Sequence, residues 1–113
     1  MPPRDLRLRV EDILDAIASL TAYVAGLTFE QFSADRKTIH AVLHNLQIIG
    51  EADRHVGDEV ELRYPDVPWA EMRDMRNVLA HEYFGVDLSV VWETIEHDLP
   101  PVATALRQIL GQL

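Results

Sequence analysis

The stretch Val10-Glu11-Asp12-Ile13-Leu14-Asp15-Ala16-Ile17-Ala18-Ser19-Leu20-Thr21-Ala22-Tyr23-Val24-Ala25-Gly26-Leu27 decides the fold class. Val10, Ile13, Leu14, Ile17, Leu20, Val24 and Leu27 recur at steps of three and four, which draws one apolar stripe along a helix. The spacing predicts a helix from about Asp5, which can cap it, to Leu27, with Gly26 where helices commonly stop. Ser19, Thr21 and Gly26 interrupt its apolar character, and the run is too short to span a bilayer.

The same period continues outward. Thr28-Phe29-Glu30-Gln31-Phe32 reads as a short connector, with Thr28 and Gln31 spaced as a capping box. A second helix is predicted from Ser33 or Asp35 to about Val56-Gly57, its stripe made of Ile39, Val42, Leu43, Leu46, Ile49 and Val56. Asp58 to Tyr64 can add a short helical turn. Tyr64-Pro65-Asp66-Val67-Pro68 must leave the helix, because each proline disfavours helical backbone in the residue before it.

Pro68 suits the first turn of a third helix, with Asp66 near its cap. Trp69, Met72, Arg76, Leu79 and Tyr83 share one face of it, and Gly85 is a natural stop. Asp87 or Ser89 caps a last segment carrying Val91, Trp92, Ile95 and Leu99. Pro100-Pro101 should kink or restart it, and Val102, Leu106, Ile109 and Leu110 complete its inner face. No strand pattern competes with these segments. The expectation is an all-α, up-down bundle of four to five helices, formed by residues 1–113 as a single domain.

The composition bounds the function. The 113 residues include 48% apolar residues, a globular proportion. There is no cysteine, so a disulfide framework and a thiolate metal site are both excluded. Met1-Pro2-Pro3-Arg4-Asp5-Leu6-Arg7 is followed by no apolar run of signal-peptide length, and a cytoplasmic protein is expected. Ten basic against nineteen acidic residues give a net charge of −9. That opposes broad nucleic-acid affinity driven by counterion release, and favours a local basic site or a partner with a basic surface.

The residues that carry chemistry are Arg76-Asn77-Val78-Leu79-Ala80-His81-Glu82-Tyr83. Arginine pairs with phosphate in a fixed fork geometry, and histidine moves protons near neutral pH. Tyrosine adds a hydroxyl that donates or accepts. On a straight helix Arg76 and Tyr83 are about 20° apart, whereas His81 is turned roughly 140° from Arg76. Convergence of the two cationic groups therefore needs a loosened helix after Ala80 or a second copy closing the cleft across a two-fold axis. The plainer reading is a solvated arginine, a packed histidine and a core tyrosine.

The segment Arg76-Asn77-x-x-x-His81-x-Tyr83 resembles the R-x4-H-x-Y signature of HepT-like proteins in the HEPN superfamily. Its surroundings are similar too: Tyr64-Pro65-Asp66-Val67-Pro68-Trp69, Asp74-Met75 before the signature, and Val91-Trp92-x-Thr94-Ile95-x-x-Asp98-Leu99-Pro100 after it. Val10-Glu11-Asp12-Ile13 and Gly50-Glu51-Ala52 extend the likeness over roughly residues 5–110. The resemblance implies a HEPN-like bundle that forms a homodimer with the signature at the dimer cleft. It implies the toxin half of a toxin–antitoxin pair, a ribonuclease that needs no metal or other cofactor. Its partner would be a minimal nucleotidyltransferase antitoxin that transfers AMP to Tyr83.

In that scheme Arg76 binds the scissile phosphate and stabilises its added charge. His81 is general acid or base for attack by the ribose 2′-hydroxyl, and Asn77 orients the reacting groups. Tyr83 contacts RNA until AMP adds bulk and negative charge there. Independently of the resemblance, Glu51 is a candidate to support the cleft by pairing with Arg76 when no RNA is bound, an alternative to a metal-site role on its helix. The rival from another class is a non-catalytic helical dimer that binds the nucleotidyltransferase and accepts AMP.

Other groups point less far. His40 and His44 are four apart on the second helix, near Gln47, Glu51 and His55, a spacing able to hold a transition metal. It equally describes a polar flank beside the core stripe. Trp69 and Trp92 read as core anchors. Asp58-Glu59-Glu61 and Glu93-Glu96-Asp98 read as solvated faces that could also meet a basic antitoxin surface.

Overall fold

The computed structural model describes residues 3–74 and 85–113. Every regular element among them is helical: α1 Pro3–Val24, α2 Phe29–Ser33, α3 Arg36–Arg54, α4 Asp58–Arg63, α5 at 69–74, α6 Leu88–Glu93 and α7 Leu99–Gly111. A π-helical turn, Thr94–Asp98, joins α6 to α7. The expected all-α bundle is what forms.

The long helices α1 and α3 pack along each other, and α7 packs on α1. The connection between α1 and α3 is short, which makes them antiparallel neighbours. Their facing stripes meet in one apolar cluster. Val10, Ile13 and Leu20 of α1, Val42 and Ile49 of α3, and Leu106 of α7 are each 0% exposed. Leu14 and Ile39, expected on the same stripes, lie at its margin.

The helix ends follow their local chemistry. α1 starts at Pro3, so Asp5 lies in its first turn rather than at its cap, where its charge still faces the positive helix end. Gly26 turns the chain with φ of +79°, a left-handed conformation that favours glycine. Thr28 and Gln31 close the expected capping box: Gln31 N–H donates to Thr28 Oγ1 at 3.1 Å, and Thr28 N–H donates to Gln31 Oε1 at 2.9 Å. Asp35 caps α3 through Thr38, whose hydroxyl donates to it at 2.7 Å. Asp87 caps α6 by accepting from Ser89 N–H at 2.9 Å.

One detail departs from expectation. Pro68 is the cap of α5, its carbonyl accepting from Met72 N–H at 3.1 Å, instead of a first-turn residue. Pro100-Pro101 lie in the first turn of α7, where the α-helix restarts as expected, after a widened turn. Neither proline has an N–H to give to the carbonyls one turn back, and Leu99 N–H reaches Thr94 O, five residues earlier.

Candidate active site

Arg76, Asn77, His81 and Tyr83 lie outside the described residues, as does the expected face position Leu79. What the structure describes is the frame on either side of them.

On the near side, α5 is anchored by its inner face. Trp69 is 5% exposed and Met72 2%, both within the core cluster. The Trp69 indole Nε1–H donates to Tyr64 O at 2.9 Å, which ties α5 back to the proline-rich bend before it. Trp69 is thus a core anchor, as its spacing predicts. On the far side the chain is described again from Gly85, and Asp87 sets the start of α6. Asp74 and Gly85, which bracket the signature, both border an apolar groove of about 730 Å³. Its walls include Leu46, Met72, Val91 and Val102, and the π-helical turn adds Thr94, His97 and Asp98.

Arg73 stands three residues before the signature, one residue before the end of the described part of α5. Its guanidinium hydrogen-bonds Glu61 of α4 and lies 3.6 Å from Asp53 Oδ2 of α3. The Asp53 side chain is 0% exposed, and among the described residues neither of its oxygens has a hydrogen-bond partner. Burial pushes its carboxyl up from 3.8 to about 6, with the positive charge of Arg73 pulling the other way. A buried acid on α3 was not foreseen. Its signal is positional: residue 53 sits four after Ile49 and three before Val56, on the apolar stripe of α3 instead of its wet face.

Glu51 lies on the exposed side of α3, 3.5 Å from Arg54 and 3.4 Å from His55 Nε2. Its expected pairing with Arg76 involves a residue outside the described set. His40 and His44 are also exposed on α3. Among the described residues, no group of three or more His, Asp or Glu side chains is placed to hold a metal ion. No described helix is long and apolar enough to cross a membrane.

Comparison with known proteins supplies what this frame lacks. A family model described as "Ribonuclease HepT-like" matches residues 13–109. The chain belongs to the HepT-like family. The match contains α3, α5 and the whole signature, and the all-helical bundle is compatible with the HEPN architecture expected of that family. A relative from Thermococcus cleftensis named "Probable ribonuclease HepT" is 42% identical over 91 residues, covering 80% of this chain and 83% of its own. A Methanocaldococcus jannaschii relative with a provisional RNase name is 32% identical over 113 residues, 100% of this chain and 93% of its own. A third, from Caldanaerobacter subterraneus and likewise provisionally named an RNase, is 38% identical over 101 residues, 89% of this chain and 90% of its own. No solved structure matches the chain.

Proposed function

We propose that this protein is a metal-independent ribonuclease and the toxin of a toxin–antitoxin pair. The observation that carries this reading is the family match over residues 13–109 with the signature intact inside it: Arg76, Asn77, His81 and Tyr83 are all present. Arg76 holds the scissile phosphate and stabilises the charge that builds on it. His81 moves the proton as the ribose 2′-hydroxyl attacks phosphorus and the 5′-oxygen leaves, giving a 2′,3′-cyclic phosphate and a 5′-hydroxyl. Asn77 orients the phosphate, and Glu51 supports the cleft through Arg76.

This chemistry calls for no cofactor, and the protein acts in the cytoplasm as a single-domain protomer of a homodimer. The second copy closes the cleft, because the signature alone does not turn Arg76 and His81 to the same side of a straight helix. The antitoxin is a minimal nucleotidyltransferase that transfers AMP to Tyr83. The modified side chain then carries a phosphate where RNA phosphate must sit, and like charges repel.

The test is digestion of a labelled RNA in EDTA by the purified protein. Cleavage is expected from the unaltered chain, with a loss of about 10²- to 10⁴-fold in Arg76→Ala and in His81→Ala, the range for removing a charge stabiliser or an acid–base group. Circular dichroism should show both variants still helical. Undiminished cleavage by both variants would end the assignment. A chain that folds, accepts AMP and never cuts RNA would instead establish the non-catalytic adaptor.

A further inference from the structure

The buried carboxylate on α3 has no role in the scheme above, although it stands beside it. Asp53 is fully enclosed, and among the described residues its oxygens accept no hydrogen bond. A carboxylate so placed is costly, and an apolar or amide side chain of similar size would serve packing better. The benefit must therefore lie in what Asp53 holds. That is Arg73, whose side chain is 38% exposed and would otherwise be free to swing. Glu61 of α4 accepts a hydrogen bond from the same guanidinium nitrogen, Nη1.

Trp69 and Met72 seat the inner face of α5 in the apolar cluster, and apolar contact tolerates small rotations and slips. A guanidinium hydrogen-bonded to Glu61 of α4 and ion-paired with Asp53 of α3 adds a polar restraint on α5 at residue 73. Arg73 stands three positions before Arg76 in sequence. We propose that Asp53 is a positioning residue for RNA cleavage: by holding Arg73 it sets where α5 delivers the chain to the phosphate-binding Arg76. This rests on the assignment of Arg76 and His81 as the cleavage pair.

The experiment compares kcat and KM for cleavage of a short RNA by wild type, Asp53→Asn, Arg73→Gln and the double variant. Asp53→Asn should lower kcat about tenfold, because small misplacements of reacting groups are expensive, and leave KM within about twofold. Its Tm should equal or exceed that of wild type, which separates positioning from a merely structural role. The double variant should be no slower than Arg73→Gln alone, since Asp53 acts through Arg73. If Asp53→Asn does not fold, Asp53→Leu takes its place.

Wild-type kcat in the folded Asp53 variant, or losses that multiply in the double variant, would overturn the proposal. A second reading is independent of turnover. The imidazole resonance of His81, assigned with His81→Gln, should shift in Asp53→Asn while that of His97 on the π-helical turn stays in place. If wild type cuts no RNA, the cleavage assignment fails, and an unmoved His81 resonance then removes the positioning link as well.

Discussion

Asp53 binds its proton more tightly in the folded protein than in the unfolded chain, because burial raises its carboxyl from 3.8 to about 6. A raised acid stabilises the fold at low pH, and that contribution is lost as pH climbs from about 4 through about 6. Each pH unit is worth about 1.4 kcal/mol, so ionising Asp53 costs the native state about 3 kcal/mol above that window. Thermal unfolding should therefore show Asp53→Asn equal to wild type near pH 4 and more stable by up to about 3 kcal/mol above pH 6.5. A variant less stable than wild type at every pH would refute the account of this carboxyl. Arg73→Gln should move the other way at pH 7, because it strands the buried charge. In sequence, Asp53 reads as one more solvent-facing charge between Ala52 and Arg54. Only its place on the Ile49–Val56 stripe betrays it, and its partner Arg73 lies twenty positions on, a contact that no local period encodes.

At the scale of elements, most helix starts were written in the chain. The Thr28–Gln31 box, the Asp35 cap and the Asp87 cap form as their residue types predict, because capping is local chemistry. The weight of α2 was not legible in the same way. Phe32, in what reads as a five-residue connector, is 0% exposed, its ring 5.3 Å from that of Trp92, with Phe29 edge-on at 6.0 Å. That contact joins residues sixty positions apart, which no local period encodes. Phe32→Ala should cost about 3–5 kcal/mol in denaturant unfolding, the usual loss for a buried aromatic. A loss below about 1 kcal/mol would mean that α2 is not a structural peg. The wide turn before Pro100-Pro101 has the same lesson: proline chemistry dictates that two carbonyls lose their donors. Ile95 and Leu99 pack into the core on either side of that π turn, and the α-helix restarts at Leu99.

For the whole molecule, periodicity alone carried the all-α class, since stripes at three- and four-residue steps fit no strand. The signature was legible as residue types and as a family likeness. Its assembly was not, because on a straight helix Arg76 and His81 would be about 140° apart, and sequence spacing alone does not say how they would converge. The net charge of −9 sharpens the point. An acidic body gains little from unspecific RNA contact, which favours cleavage groups concentrated in one cleft. If a homodimer forms that cleft, as proposed, sedimentation should give twice the 12.9 kDa of the chain; a protein monomeric at micromolar concentration would remove the shared cleft. The chemistry of the cut ends tests the central claim most directly. RNA digested in EDTA should end in 2′,3′-cyclic phosphates and begin in 5′-hydroxyls. Intact RNA, or fragments with 3′-hydroxyl ends that appear only when a divalent metal is added, would contradict it.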